Sequence, residues 1–463
     1  MKSLKSIALF SFAFFLLVSC QKENLVNKDL RLDLESAANG AQVTGKPEFV
    51  PNELLVKFKK GTTAAARGKA LGLLNASLKE HVHTAAMKRA GDEQGVLLVA
   101  VNANALEAIS KAKGFAEVEY AEPNWIYQHQ ATSNDIYFTN GSLWGMYGSA
   151  TSPANQYGSG AATAWAAGKT GSSSVYVGII DEGYMYTHTD LAANAGKNPG
   201  ETAGNNRDDD GNGLVDDVYG WDFAGNNNTV FDGAGDDHGT HVAGTIGGVA
   251  GNSAGVAGVV WNVRMLNAKF LGSTGGTTAN AIKAVDYFTN LKSKGLNLVA
   301  TNNSWGGGGF SQALSDAIGR MNTAGVLFIA AAGNSETNND VTASYPSNYD
   351  FPNVIAVAAI ANNGTLATFS QYGATTVDLG APGVGIWSTV PKSSKGKVVA
   401  AYASYNGTSM ATPHVTGAAA LYKSINPTAT AATIKAAILS SATPTASLTG
   451  KCVTGGRLNV AGF

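Results

Sequence analysis

Hydrophobic and polar positions along this chain fall into three regimes. Residues Ile7 to Val18 form an apolar run, interrupted by Ser11, and are preceded by Lys2 and Lys5. From about Gln21 to Pro47 the chain is polar, carries charges of both signs and has no period, as in a tether. Apolar residues recur periodically from Phe49 onward. Glu53–Phe58 predicts a strand, Thr62–Leu74 a helix, Gly95–Val101 a strand, Ala105–Lys113 a helix and Ala116–Ala121 a strand. One more strand within Ala76–Lys88 makes the order β-α-β-β-α-β, a small α+β (ferredoxin-like) unit. After a polar and aromatic stretch, Ala131–Gly160, helices and strands alternate. Val175–Ile180 is an apolar run of strand length, and Leu296–Asn302, Val326–Ala331 and Val354–Ala358 are short buried strands. Ile282, Val285, Phe288 and Leu291 mark one side of a helix over Thr277–Lys294 that stops at Gly295. Leu314, Ile318 and Met321 mark another over Ser311–Thr323, stopping at Gly325. This alternation predicts an α/β fold, a parallel sheet with helices on both faces, whose functional groups gather at the carboxyl ends of strands.

Composition narrows the class. The 463 residues suffice for two or three domains, and 32 Lys+Arg against 33 Asp+Glu leave a net charge of -1, which gives no basis for a nucleic-acid partner. Only 14% of residues are charged and 56 are glycine, a composition of closely packed helices and sheet with many turns. The first apolar run is too short to span a bilayer and has the length of a secretory signal. It ends in Leu17-Val18-Ser19-Cys20, which resembles a bacterial lipobox, so residues 1–20 are expected to be a signal whose Cys20 is lipidated and anchors the mature chain in a membrane. The other cysteine, Cys452, then has no intramolecular partner and is expected to be a quiet buried thiol.

The chemistry centres on Tyr405-Asn406-Gly407-Thr408-Ser409-Met410-Ala411-Thr412-Pro413-His414. Ser409 stands at the start of an apolar helix, where unpaired N–H groups and the positive dipole end favour a developing anion. A serine in that setting is ordinarily only a helix cap. A nucleophilic serine needs a base and the base an orienting group, and both precede it here. His238 opens His238-Gly239-Thr240-His241-Val242-Ala243-Gly244-Thr245, and Asp181 ends the Val175–Ile180 strand ahead of Glu182-Gly183. Asn334, after the strand from Val326, offers a carboxamide N–H at another strand end, although Gly-Asn is also a common turn.

With its order Asp181, His238, Ser409, the chain resembles the subtilisin-like serine protease family. The resemblance extends from about Phe49 to the C-terminus. It implies a serine endopeptidase that forms an acyl-enzyme on Ser409, with Asn334 and the Ser409 N–H as the oxyanion hole and no organic cofactor. It also implies that Ser304-Trp305-Gly306-Gly307 and the segment containing Ala331 and Gly333 wall the substrate cleft. Neither segment carries a charge, so uncharged or apolar residues are expected at the cleavage position. Val118-Glu119-Tyr120-Ala121-Glu122-Pro123-Asn124 resembles a subtilase propeptide. Residues 48–130 are therefore expected to be a propeptide that inhibits the cleft of the catalytic domain, 131–463, through a tail at Trp125–Gln128. His81 and His83, two apart, are expected to share a strand face rather than bind metal. His188, His241 and His414 are not expected to act as bases.

Asp208, Asp210 and Asn212 alternate before Gly213, as in the first half of a calcium loop. With the Leu214 carbonyl and Asp216 or Asp217 they form an oxygen ligand set for a structural Ca²⁺. Tyr219 replaces the twelfth-position acid, so a full EF-hand is not expected. Glu182 departs from the family, which usually has a hydroxyl residue there; a second carboxylate beside Asp181 is expected to alter local proton affinities. Two other classes fit the sequence less well. A silent peptide-binding protein has no need of all four catalytic positions, and a lipase or esterase lacks its Gly-x-Ser-x-Gly elbow around Ser409. The reading is an exported, lipid-anchored, self-processing zymogen acting on polypeptides, in which cleavage near Gln128–Asp135 detaches the protease from Cys20.

Overall fold

The computed structural model describes residues 49–102, 104–125 and 132–463. The signal, the tether, Cys20 and most of the propeptide tail lie outside the described residues. Among those described, no helix is long and apolar enough to cross a membrane.

Residues 49–125 build a four-stranded antiparallel sheet from β1 (Phe49–Phe58), β2 (Ala76–Val82), β3 (Val96–Val101) and β4 (Val118–Trp125), in the order β2-β3-β1-β4. Leu54, Val56, Phe58, Val99 and Val101 alternate onto one face and pack with Ala108, Ile109 and Ala112 of the helix Ala105–Ala112. His83 lies just past the end of β2 rather than on it, but its ring still stacks on that of His81 at 5.3 Å, and each Nε2 meets a backbone carbonyl, of Asp92 and Gln94 respectively. The sequence anticipated no helix after β2, yet Ala85–Arg89 is one, capped by the Thr84 hydroxyl.

The second sheet has nine strands in the order β14-β15-β11-β10-β9-β8-β5-β7-β6. These are β5 (Gly171–Asp181), β6 (Gly220–Asp222), β7 (Asn262–Lys269), β8 (Leu298–Asn303), β9 (Leu327–Ala331), β10 (Val354–Ile360), β11 (Leu379–Pro382), β14 (Thr443–Pro444) and β15 (Gly456–Arg457). Every pairing is parallel except the β14–β15 edge. Both faces are covered, as the continuous apolar strands require. Val177, Ile179, Leu327 and Ile329 face one core with the helices Asp237–Gly247 and Thr408–Ile425. Ile180, Phe328 and Ala330 face the other, against Thr278–Ser293 and Gln312–Thr323.

The Thr408–Ile425 helix is buried over most of its length, which its small residues permit. A Cβ on Gly417 would lie 2.7 Å from Val259 Cβ and 3.2 Å from the Ile246 carbonyl, so this helix can approach the Asp237–Gly247 helix only through glycine. Val415 and Leu421 are fully buried, each stabilising by about 1.5–3 kcal/mol. An antiparallel hairpin, β12 (Ile386–Ser394) with β13 (Lys397–Tyr405), packs on the Asp237–Gly247 helix and leads directly into the serine. Its outer half is exposed and lacks a clean alternation, so no strand was predicted there.

Candidate active site

The three candidate residues all stand at the ends of structural elements. Asp181 is the last residue of β5, His238 the second residue of its helix and Ser409 the second residue of its own. Strand pairing sets Asp181 beside Lys269 at the end of β7. The Lys269 ammonium is buried and bonds Asp236 Oδ1 at 2.7 Å and Asp232 Oδ2 at 2.9 Å. Asp236 immediately precedes the His238 helix, so this ion pair ties the helix start to the sheet. Losing one member of such a buried pair costs about 3–5 kcal/mol.

Asp181 is fully buried. Its Oδ1 accepts from the Glu182 N–H at 2.8 Å and lies 2.9 Å from His238 Nδ1. Its Oδ2 has no partner among the described residues. Burial opposes a charge on His238, but the Asp181 carboxylate outweighs it, aided by Glu182 and Asp237, and the imidazole is raised to about 9. The other histidines of this domain go the opposite way. Burial pushes His241 down to about 3 and His414 to about 4, and lowers His188. Only His238 combines partial exposure with an anionic partner. His241 serves the hairpin instead, its Nε2 2.8 Å from the Ile386 carbonyl and its ring stacked on Tyr405 at 4.5 Å.

Ser409 and Ser304 are joined by two bonds. Pro413 has no N–H, so the Ser409 carbonyl lacks its helical donor. The Ser304 hydroxyl supplies one at 2.8 Å, while the Ser409 hydroxyl donates to the Ser304 carbonyl at 3.1 Å. Ser304, expected as a cleft wall, is therefore buried with its side chain spent on the Ser409 backbone. Trp305 leans into the core against Phe270 and Phe328, whereas Gly306 and Gly307 are exposed. Ala331 is buried and Gly333 half-buried. Gly333 has φ +114°, and a Cβ there would lie 1.8 Å from Gln371 Oε1, so only glycine fits.

The Asn334 carboxamide has a fixed sense. Its Oδ1 accepts from the Thr408 N–H at 2.9 Å and the Thr408 hydroxyl at 3.0 Å, which leaves Nδ2 free to donate elsewhere. A Cβ on Gly407 would lie 3.5 Å from Ser409 N and 3.7 Å from Asn334 Nδ2. The two donors thus border the same small space, which Gly407 keeps open.

The chain matches the subtilase family over residues 172–458. It belongs to that family. Residues 35–124 match the fervidolysin N-terminal prodomain. Among relatives, subtilisin DY of Bacillus licheniformis is 38% identical over 273 residues, covering 58% of this chain and 84% of that protein. The thermophilic serine proteinase of Bacillus sp. (strain AK1) is 34% identical over 381 residues, 82% of this chain and 79% of that one. An extracellular protease of Xanthomonas campestris pv. campestris is 38% identical over 270 residues, covering 56% and 45%. A solved protease structure from Pseudoalteromonas arctica PAMC 21717 superposes with TM-score 0.56 at 29% identity, covering 72% of this chain and 98% of that one. This subtilase is accordingly a serine endopeptidase made with a prodomain, and it requires no organic cofactor.

The acidic loop of the subtilase is more elaborate than its sequence indicated. Asp208 and Asp210 come together with Glu201, one oxygen of each lying within 4.8 Å of the others. Glu201 escaped the sequence reading because it precedes the alternating motif. Its Oε1 accepts from Asp209 and Asp210 N–H groups, while its Oε2 is buried without a partner among the described residues. That orphaned oxygen in an acidic cluster fits a hard cation. Asn212 turns away: its Oδ1 accepts from the Leu214 N–H and its Nδ2 donates to Asp217. Asp217 shares the Asn198 amide with Asp210 without joining the three clustered oxygens, and burial raises it to about 6. Cys452 is buried and has no disulfide partner among the described residues.

Substituting Ser304→Ala strands the Ser409 carbonyl. The expected result is a loss of about 1–3 kcal/mol in urea unfolding, with a lowered kcat as the nucleophile's backbone shifts. Unchanged stability and kcat would show that the Ser304–Ser409 pair is incidental.

Proposed function

We propose that His238 takes the proton of Ser409 as its Oγ attacks the scissile carbonyl. Asp181 holds the imidazole with its proton on Nδ1 and stabilises the imidazolium, while Asn334 Nδ2 and the Ser409 N–H receive the oxyanion. The observation that carries this reading is the 2.9 Å contact of Asp181 Oδ1 with His238 Nδ1, together with the Ser409 N–H and Asn334 Nδ2 bordering one space beside Gly407. At rest the Ser409 hydroxyl donates to Ser304, so attack begins with its rotation toward His238. The imidazolium then gives its proton to the leaving amine as the scissile C–N bond breaks. In the second half His238 takes a proton from the water that attacks the acyl-enzyme and returns it to Ser409 Oγ as the ester bond breaks.

Exposed Gly306 and Gly307 suit pairing with an extended substrate backbone, and uncharged walls around Ala331 and Gly333 favour uncharged or apolar side chains at the cleavage position. We assign 48–130 to an inhibitory propeptide and 131–463 to the protease. Glu201, Asp208 and Asp210 would hold a structural Ca²⁺, with Asn212, Leu214 and Asp217 shaping the loop behind them. The secretory-length run and an extracellular relative support export. Lipidation at Cys20 would hold the zymogen to a membrane, and cleavage near Gln128–Asp135 would release the mature protease.

Ser409→Ala is expected to abolish peptide hydrolysis and self-processing, and Asn334→Ala to lower kcat by about 10²–10³ with little change in KM. A processed, active Ser409→Ala protein would refute the assignment. Calcium is expected to raise the thermal midpoint of the wild type but not of Glu201→Gln; equal responses would remove Glu201 from the ligands. Membrane fractionation should find the unprocessed Ser409→Ala protein with the membrane and the mature wild type soluble. Mature enzyme that still carries lipid would contradict the release.

A further inference from the structure

The backbone N–H groups that open a helix need acceptors, and the residue before the His238 helix does not supply them. Asp236 makes no side-chain cap there, because its carboxylate is committed to Lys269 and to the Asp232 N–H. The acceptor comes instead from the residue after Asp181. Glu182 Oε1 accepts from the His238 N–H at 2.5 Å and the Gly239 N–H at 3.3 Å. One carboxylate, on the strand end that carries Asp181, thus caps the helix that carries His238.

We propose that Glu182 is a positioning residue of this protease: its carboxylate fixes the start of the His238 helix and sets a second negative charge beside the imidazole, governing the pH range over which the enzyme works. The proposal rests on His238 being the general base.

The surroundings make that charge consequential. Asp181, the last residue of β5, adjoins Glu182, while His238 and Asp237 face it from the helix. Tyr405, at the end of β13, donates to Asp237 and senses the Glu182 charge. Glu182 also borders an open pocket lined by Asp222, Asp232, Asp236 and Lys269. Burial, then the Asp181 charge, raise Glu182 to about 7. Around neutral pH it therefore passes between carboxylic acid and carboxylate. As a carboxylate it stabilises the imidazolium, so His238 keeps its proton to higher pH and the free base appears only in alkali. The same charge favours the imidazolium formed as Ser409 attacks.

A hydroxyl residue in this position lacks the charge, and glutamine separates charge from capping, because its carbonyl oxygen still accepts from both N–H groups. The test measures kcat/KM against pH for wild type, Glu182→Gln and Glu182→Ser, with the His238 titration followed by NMR in the Ser409→Ala background of each. The acid limb is expected to move about one pH unit lower in both variants, with the His238 titration moving equally. Glu182→Ser alone should also lower the thermal midpoint. Unchanged limbs and titrations in the folded variants would reduce Glu182 to a cap and overturn the proposal. The NMR titration needs no turnover. It therefore decides the point even if one variant fails to fold, or if the wild type proves inactive and the base role of His238 falls by itself.

Discussion

The contact between Asp181 Oδ1 and His238 Nδ1, 2.9 Å long, is the interaction around which this molecule is arranged. A fully buried carboxylate is costly unless paired, and among the described residues Asp181 has two partners, the imidazole and the Glu182 N–H, both on Oδ1. The pair persists only if a strand end and a helix start are held in register. The structure does this several times over. Lys269 and Asp236 bind the helix start to the neighbouring strand. Glu182 caps its first N–H groups, and Ser388 and Thr389 of the hairpin bond the carbonyls of His241 and Thr240.

Ser409 is held by a different means. Its helix packs through glycine and alanine against the sheet and the His238 helix, which sets position along and across the core. Pro413 then removes one helical hydrogen bond, and Ser304 replaces it from the end of β8. A defect within the helix thereby becomes a link between the nucleophile and the adjoining strand end. Asn334, held by Thr408 from the same helix start, joins this arrangement on the other side. The parallel strands make this arrangement possible, because they deliver their last residues to one edge of the sheet.

Much of this was legible in the sequence. Apolar runs of strand length, the helical periods stopped at Gly295 and Gly325, the strand-ending Asp181 and the Asn334 that follows a strand depend on local pattern, and local pattern survives folding. The α/β class and the preceding α+β unit followed from it. What stayed hidden depended on contacts distant in sequence. The Ser304 hydroxyl meets the Ser409 carbonyl across 105 positions, and nothing in Ser304-Trp305-Gly306-Gly307 indicates which way that hydroxyl turns. Glu201 lies before the alternating acidic motif and reaches it only through a loop. The hairpin Ile386–Tyr405 was missed because Lys397-Val398-Val399-Ala400-Ala401 lacks alternation, its outer half being solvated on both sides. Glu182 stood out as an unusual residue, but its capping role required the helix start to be seen beside it.

The most direct measurement is covalent labelling of the processed enzyme with a fluorophosphonate, followed by peptide mapping of the modified residue. The account predicts one adduct, on Ser409, formed in the wild type, strongly slowed in His238→Ala and absent from Ser409→Ala. A folded, processed protein that labels at another residue, or not at all, would contradict it.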